Sequence, residues 1–195
     1  MNILSWDVRC YNRRLLRDKA EAARKAVHKA IADATPQMDD FFKKIDEVVY
    51  TFNHQHMDFG DKYFRLKFAY KLVDLPADFM INCAILKSEC KQFAKPSEAL
   101  RLAHDAEAFH AFVTDHNKIL FRFAGYDGNM RALLKTIEEV HLRALGSYVN
   151  SGQVGGSPIG VNPIIKDFDN TRGDFTLKQQ GFQNLATDLG RLKLD

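Results

Sequence analysis

The stretch NMRALLKTIEEVHLRALGSYV, residues 129–149, decides the fold class. Its apolar residues recur at every third or fourth position, which is the period of an α-helix with one buried face. That face carries Met130, Leu133, Leu134, Ile137, His141, Leu145 and Tyr148. An amphipathic helix must bury its stripe against other elements, and almost no alternating strand pattern occurs elsewhere in the chain. The sequence therefore predicts an all-α protein.

Proline and glycine divide the rest of the chain into further helices. Ala, Arg and Lys favour a first helix, and Thr35-Pro36 should end it because the residue before proline avoids the helical region. The other predicted helices cover 7–34, 37–53, 61–75, a fourth from 76, a fifth from 96 to about 123, and 177–192. Residues 150–176, rich in Gly, Asn and Asp, are predicted to be irregular. We predict a single-domain bundle of about six to seven helices.

Helical spacing also predicts which side chains are buried. The first helix has only a weak stripe, formed by Leu15, Ala22, Ala26, Ala30 and Ala34. The fourth has a stronger stripe, formed by Phe79, Cys83, Leu86, Cys90 and Phe93. The resulting division is a basic N-terminal helix (1–35) followed by a helical domain (36–195) that contains a glycine-rich loop (150–163).

The composition bounds the class of protein. Hydrophobic residues make up 46% and charged residues 27%, the range of ordinary globular domains. A formal net charge of +3 is too small to indicate a nucleic-acid-binding protein. Three cysteines without a CxxC spacing fit a reducing compartment. No apolar run approaches the roughly 18 residues of a membrane span. We expect a cytoplasmic protein with neither a nucleic-acid nor a membrane partner.

His141 is the first candidate site residue, because it lies four residues from both Ile137 and Leu145 on an apolar face. Such a histidine usually hydrogen-bonds inside a core and does nothing more, and that interpretation stays open. A haem ligand requires the same placement, a neutral imidazole on a rigid helix. In the loop that follows, Gly155 and Gly156 allow backbone to approach a flat ligand closely, and Ser157 can bind a carboxylate. A plain connector is the alternative for the loop.

Two Glu-x-x-His pairs, Glu107/His110 and Glu138/His141, support a competing metal hypothesis. Facing helices of bundle proteins use such pairs, with one further Glu from each of two helices, to hold a di-iron centre. Glu47 and Glu89 are the candidates for those two, although the order of the motifs along the chain differs from the usual alternation. A di-iron carboxylate protein is therefore an alternative.

The segment from His141-Leu142 through Tyr148-Val149 to Gly155-Gly156-Ser157-Pro158-Ile159 resembles the C-terminal part of the indoleamine/tryptophan 2,3-dioxygenase superfamily. The resemblance implies an all-α fold, haem b as cofactor and His141 as the proximal iron ligand. It also implies that Gly155, Gly156 and Ser157 border a haem propionate and the substrate.

A further similarity lies upstream, where Tyr63 and Phe64 stand in the place of an aromatic pair on the distal wall. The resemblance implies a haem-dependent oxygenase that uses O₂ on a small aromatic, indole- or tryptophan-like substrate. Residues 36–195 would then be the haem-binding domain, and the catalytic residues would be Tyr63, Phe64 and Ser157. A homo-oligomer is left open.

The basic cluster Arg13-Arg14-Arg17-Lys19 leads to a third hypothesis. Such a run is most often a solvated helix face, but it can also meet an acidic partner. A helical bundle with a basic leading helix is then an interaction or assembly module without a cofactor.

Overall fold

The computed structural model describes residues 3–54, 72–124 and 163–195. Within these ranges the chain is mostly helical and contains no strand, which confirms the all-α class. The helices are α1 (Ile3–His54), α2 (Phe79–Ser88), a short 3-10 helix (Cys90–Gln92), α3 (Pro96–Ala124), α4 (Pro163–Gln180) and α5 (Leu185–Arg191). The predicted single bundle of six to seven helices is not confirmed. None of the helices in these ranges has both the length and the hydropathy needed to cross a membrane.

The chain forms two compact units. Unit 1 consists of Met1–Gln37, Val73–His116 and Lys178–Asp195, and unit 2 consists of Met38–Leu72 and Asn117–Leu177. The predicted helix 129–149 and most of the predicted helix 61–75 lie outside the described residues. The part of the latter that is described, 72–75, is not helical.

The prediction that Thr35-Pro36 ends the first helix is wrong, since α1 runs through Pro36. Proline inside a helix removes one backbone hydrogen bond and costs about 3 kcal/mol. Two side-chain hydrogen bonds to backbone carbonyls flank the proline, from Thr35 Oγ1 to Ile31 (2.8 Å) and from Gln37 Nε2 to Asp33 (2.8 Å). Buried residues on both sides of Pro36 show that packing outweighs the local penalty in this helix.

The buried face of α1 differs from the predicted stripe. Leu15 is 54% exposed, Ala22 is exposed and Ala26 is only half-buried, so these three predictions are wrong. The face that is buried consists of Ala20, Ala23, Val27, Ala30, Ile31, Ala34, Met38, Phe41 and Phe42. Its spacing of three and four residues is typical of a helix with one buried face, and in α1 this face extends from Ala20 to Phe42.

The stripe predicted for α2 is largely confirmed. Phe79, Cys83, Leu86 and Phe93 are buried, and Cys90 is half-buried. The helix begins at Phe79 rather than at Pro76, because residues 76–79 form a turn in which the Phe79 amide donates to the Pro76 carbonyl (2.9 Å). The predicted fifth helix is present as α3 and is unbroken to Ala124.

The C-terminal region is more helical at its start than predicted. The predicted irregular segment includes residues 163–176, which belong to α4, and proline suits the first position of a helix. The predicted helix 177–192 is interrupted by a turn at 181–184. Inside that turn the Phe182 ring packs on Phe109 (centroids 5.5 Å apart) and on Phe112 (5.2 Å). The turn therefore interrupts the helix and allows the Phe182 ring to pack on two other aromatic rings in unit 1.

Residues from both ends of the chain and from its middle hold unit 1 together. Arg24 Nη1 of α1 donates to the Leu189 carbonyl of α5 (2.7 Å). Next to that bond, Gly190 lies against His28, whose Nε2 is 3.3 Å from the position of a Cβ at residue 190. Beyond α5, Phe93 and Leu194 form an antiparallel bridge. His28 is therefore half-buried.

Candidate functional site

The predicted haem-site residues, His141, Gly155, Gly156 and Ser157, lie outside the described residues. So do Tyr63 and Phe64, and so does the pair partner Glu138. These assignments, and haem b with them, stay predictions. The described residues give geometry for one of the two Glu-x-x-His pairs, for two buried titratable groups, for two cavities and for one exposed basic segment.

The pair Glu107/His110 lies on α3 in unit 1. The Glu107 carboxylate is an ion-pair partner of Lys87, whose Nζ is 3.4 Å from Oε2, and His104 Nδ1 lies 3.4 Å from the same oxygen. The His110 ring stacks on Phe79, with centroids 6.1 Å apart and ring planes 18° apart. These contacts give both members of the pair a structural role in packing α3 against α2.

Metal-binding geometry is absent from the part of the chain that is described. No three His, Cys, Asp or Glu side chains within 3–54, 72–124 and 163–195 are grouped so that they could hold a metal ion. Of the two other predicted ligands, Glu89 is 4.0 Å from Lys19 Nζ. The di-iron hypothesis depends on Glu138 and His141 as well, and it stays a prediction.

Two buried groups of unit 1 have strongly shifted pKa values. Burial, together with the negative charge of Glu107, raises the pKa of the Cys83 thiol to about 12. Burial lowers the pKa of His116, which is 0% exposed, to about 4. At neutral pH the thiol and the imidazole are therefore both uncharged. A neutral thiol is a poor nucleophile, and the Cys83 side chain is packed in the core of unit 1 at 0% exposure.

In unit 2, residues of α4 line an open cavity of about 860 Å³ together with one residue of α1. Its rim is stabilised by an ion pair between Arg172 Nη1 and Asp46 Oδ1 (3.2 Å). The described lining residues are Asp46, Asn170, Arg172, Gly173, Asp174, Thr176 and Leu177. They include no His, Cys or Tyr, so they supply no axial ligand for a haem iron.

The strongest candidate surface is the basic segment, defined as residues 10–19 of α1. All ten residues are exposed, whereas from Ala20 onward the helix has a buried face. Tyr11 is 68% exposed and Leu15 is 54% exposed, and both are large apolar side chains. An exposed helical segment that carries both basic and large apolar side chains is typical of a surface that binds a partner.

The guanidinium groups of the basic segment lack the ion pairs that the lysine of the segment and the two cations that follow it in α1 form. Arg24 and Lys25 pair with Glu21 (2.7 and 3.4 Å), and Lys19 lies 4.0 Å from Glu89. Arg13, Arg14 and Arg17 make no ion pair with any residue of the described ranges. Three guanidiniums that form no ion pair in the described ranges lie within about one helical turn, and they give this part of unit 1 a local positive charge.

These three arginines line a groove of about 370 Å³ in unit 1. The other lining residues that the structure describes are Cys10, Asp18 and Leu194. Two backbone hydrogen bonds hold the segment that carries Leu194 beside residues 92–94. The Ala94 amide donates to the Lys193 carbonyl (3.0 Å), and the Asp195 amide donates to the Gln92 carbonyl (2.9 Å). The sequence indicated the arginine cluster, but the contribution of Leu194 comes from residues far apart in the chain and has no local signal.

Comparison with known proteins finds no family, no curated protein and no solved structure that matches this chain. The resemblance to the dioxygenase superfamily therefore rests on the quoted motifs alone.

Proposed function

We propose that this chain is a helical interaction protein that binds a negatively charged protein partner through the basic segment. The observation that carries the proposal is the run of ten exposed residues in which Arg13, Arg14 and Arg17 lack ion-pair partners within the described residues. Arginine and tyrosine are enriched among the residues that dominate protein–protein binding energies. Both occur here on a rigid helix, so little conformational entropy of the backbone is lost on binding.

The electrostatics of the segment support association with an acidic surface. The described lining of the groove contains three guanidinium groups and one side-chain carboxylate, that of Asp18. Guanidinium groups match carboxylates in planar, two-point hydrogen bonds, which lysine cannot reproduce. Because these groups are exposed, the attraction is screened by salt, and the binding rate should fall as ionic strength rises.

A direct test uses poly-L-glutamate as the acidic polypeptide and fluorescence anisotropy as the readout. The test variant is Arg13→Glu/Arg14→Glu/Arg17→Glu. The matched control, Lys29→Glu/Lys43→Glu/Lys178→Glu, makes the same change in net charge at three other exposed positions. The wild-type protein and the control should bind in a salt-dependent manner, and the test variant should bind at least about tenfold more weakly. Equal weakening in both variants would show that net charge alone governs binding.

The haem-dependent oxygenase is the second candidate function, and the sequence motif around His141, Gly155, Gly156 and Ser157 is its support. Haem would supply the oxygen chemistry, and the protein would supply the axial imidazole and a dry pocket. The purified protein should then show a Soret band that is lost in His141→Ala. A colourless protein with two irons per chain would favour the di-iron alternative instead.

A further inference from the structure

The three arginines of the basic segment lie on one side of α1. Arg17 is four residues after Arg13 and three after Arg14, and side chains at these spacings are neighbours on a helix surface. Cys10, three residues before Arg13, falls between Arg13 and Arg14 in rotation about the helix axis. The four positions together cover about 100° of the helix circumference. They therefore form one continuous basic surface.

The same four side chains line the groove of about 370 Å³. Ligand pockets have volumes of about 300–1,000 Å³, so this groove suits one small group rather than a length of partner chain. Leu194 is half-buried and gives the groove one apolar wall. Tyr11 and Leu15 lie nearly opposite Arg13 and Arg17 on the helix and do not line it. The groove is therefore a site for a single charged group.

The described lining of the groove has a formal charge of +2, from three guanidiniums and the carboxylate of Asp18. Asp18 is four residues after Arg14, yet neither side chain forms an ion pair within residues 3–54, 72–124 and 163–195. Arg13 and Arg17 form none in these ranges either. The guanidinium donors are thus available to a ligand that carries more than one negative charge.

This charge matches a phosphate monoester better than a carboxylate. A phosphorylated side chain carries a charge of about −1.5 to −2 at pH 7 and three acceptor oxygens. A carboxylate carries one negative charge, so it neutralises only half of the formal charge of the groove. Guanidinium groups bind phosphate through paired, charge-assisted hydrogen bonds. The apolar wall that Leu194 provides lowers the local dielectric constant and strengthens such bonds.

A phosphorylated residue of a protein fits the groove better than other sources of the same group. Its phosphate can enter the groove while the backbone of the partner stays outside, along the exposed basic segment. An apolar side chain next to the phosphorylated residue can then contact Leu194. The phosphodiesters of a nucleic acid carry one charge each and recur along an extended chain, whereas the three arginines lie within about one helical turn.

We propose that the groove binds a phosphorylated side chain of the protein partner, whose phosphate oxygens accept hydrogen bonds from Arg13, Arg14 and Arg17. This inference rests on the proposed function and specifies the chemistry of the residue that anchors the partner. Association through the basic segment then depends on phosphorylation of the partner.

The experiment compares four fluorescent peptide mixtures by anisotropy. All have the same randomised flanking residues, and the central residue is phosphoserine, phosphotyrosine, glutamate or, as the baseline, serine. At least one phosphorylated mixture should bind the wild-type chain about tenfold more tightly than the glutamate mixture, since the phosphate adds charge and an acceptor oxygen. Arg13→Gln/Arg14→Gln/Arg17→Gln should abolish this preference.

The matched control, Lys29→Gln/Lys43→Gln/Lys178→Gln, removes the same charge at other exposed positions and should preserve the preference. Circular dichroism verifies that both variants are folded. A second measurement is local to the groove. A bound phosphorylated peptide should slow the alkylation by iodoacetamide of the Cys10 thiol, which is exposed and lines the groove, and should leave that of Cys90 unchanged.

Equal binding of the phosphorylated and glutamate mixtures would overturn the phosphate site while leaving the proposed function intact. Binding of poly-L-glutamate but of no peptide mixture has the same meaning, and binding of neither would overturn both. A preference that persists in the arginine variant, or unchanged alkylation of Cys10, would place the phosphate elsewhere on the chain. Equal protection of Cys10 by inorganic phosphate would identify free phosphate as the ligand. Tighter binding of phosphatidic acid vesicles or of a single-stranded oligonucleotide would identify a membrane or a nucleic acid; each of these results overturns the inference.

Discussion

The Arg24 guanidinium donates a 2.7 Å hydrogen bond to the backbone carbonyl of Leu189, 165 positions later in the chain. Leu189 lies in the last turn of α5, where carbonyls lack helical partners. The same guanidinium forms two 2.7 Å hydrogen bonds with Glu21 on its own helix. Arg24 is thus held in position by one helix while it caps another, and these hydrogen bonds lower the pKa of Glu21.

Removing this capping interaction should destabilise unit 1. Arg24→Ala is expected to lower the free energy of unfolding by about 1.5–3 kcal/mol, the contribution of hydrogen bonds to a charged group. Urea denaturation followed by circular dichroism measures the change. Lys25→Ala is the control, because Lys25 pairs with the same Glu21 but is 69% exposed, and it should change stability by less than about 1 kcal/mol. Equal effects of the two substitutions would contradict a special role for Arg24.

Acid should destabilise the protein through His116. Because burial lowers the pKa of His116 from its ordinary 6.5 to about 4, the unfolded chain binds a proton between these values that the folded chain does not. The free energy of unfolding is therefore unaffected by His116 above about pH 6.5. As the pH decreases towards 4, it falls by about 3 kcal/mol in total. Urea denaturation at several pH values measures the slope.

The matched substitutions are His116→Leu and His104→Gln. The first removes the buried titrating group and should flatten the pH dependence between 6.5 and 4. The second changes an exposed histidine on the same helix and should leave the slope unchanged. A slope that persists in His116→Leu would assign the acid sensitivity to other groups.

Replacing the proline inside α1 should stabilise the protein. Pro36 is exposed, and Pro36→Ala restores a backbone donor and relieves the clash with the preceding turn. The expected gain is about 1–3 kcal/mol, reduced by the greater freedom of the unfolded chain. Thermal unfolding measures it. Ala32→Pro, at another exposed position one turn earlier, should instead destabilise the protein, and a loss of stability in Pro36→Ala would show that α1 requires a kink at this position.

The three cysteines should differ in reactivity. Cys10 is exposed, Cys90 is half-buried, and Cys83 is buried with a pKa of about 12. With a disulfide reagent at pH 8, the native protein should show a fast phase that Cys10→Ser removes and that Cys90→Ser preserves. The Cys83 thiol should react only when the chain unfolds. A fast phase in the double variant Cys10→Ser/Cys90→Ser would contradict the burial of Cys83.

Sequence patterns predicted some parts of the fold better than others. The buried stripe of α2 was predictable because Phe79, Leu86 and Phe93 are large and their spacing defines one face. In α1, alanines occupy several faces, so the sequence does not define which face is buried. Packing buries Ala20 and Ala23 and leaves Ala22 exposed. Local composition failed where tertiary contacts were stronger than local preferences.

Two corrections show this competition directly. Helix α4 contains Gly173 and several Asn and Asp residues, which favour loops, yet Phe175 stacks on Phe42 with centroids 4.5 Å apart. Similarly, α1 continues through Pro36. At the candidate surface, the arginine cluster was evident in the sequence, but the groove depends on Leu194, which the bridge to Phe93 places there. Long-range pairings of this kind leave no periodic signal in the chain.

The composition of unit 1 has a consequence for synthesis of the protein. Its parts come from residues 1–37, 73–116 and 178–195, so the hydrogen bond between Arg24 and Leu189 cannot form until residue 189 has left the ribosome. Until then Arg24 and His28 of α1 lack the contacts that α5 provides. Nascent chains should therefore depend on chaperones until α5 has emerged, and ribosome stalling before residue 185 should leave unit 1 sensitive to protease.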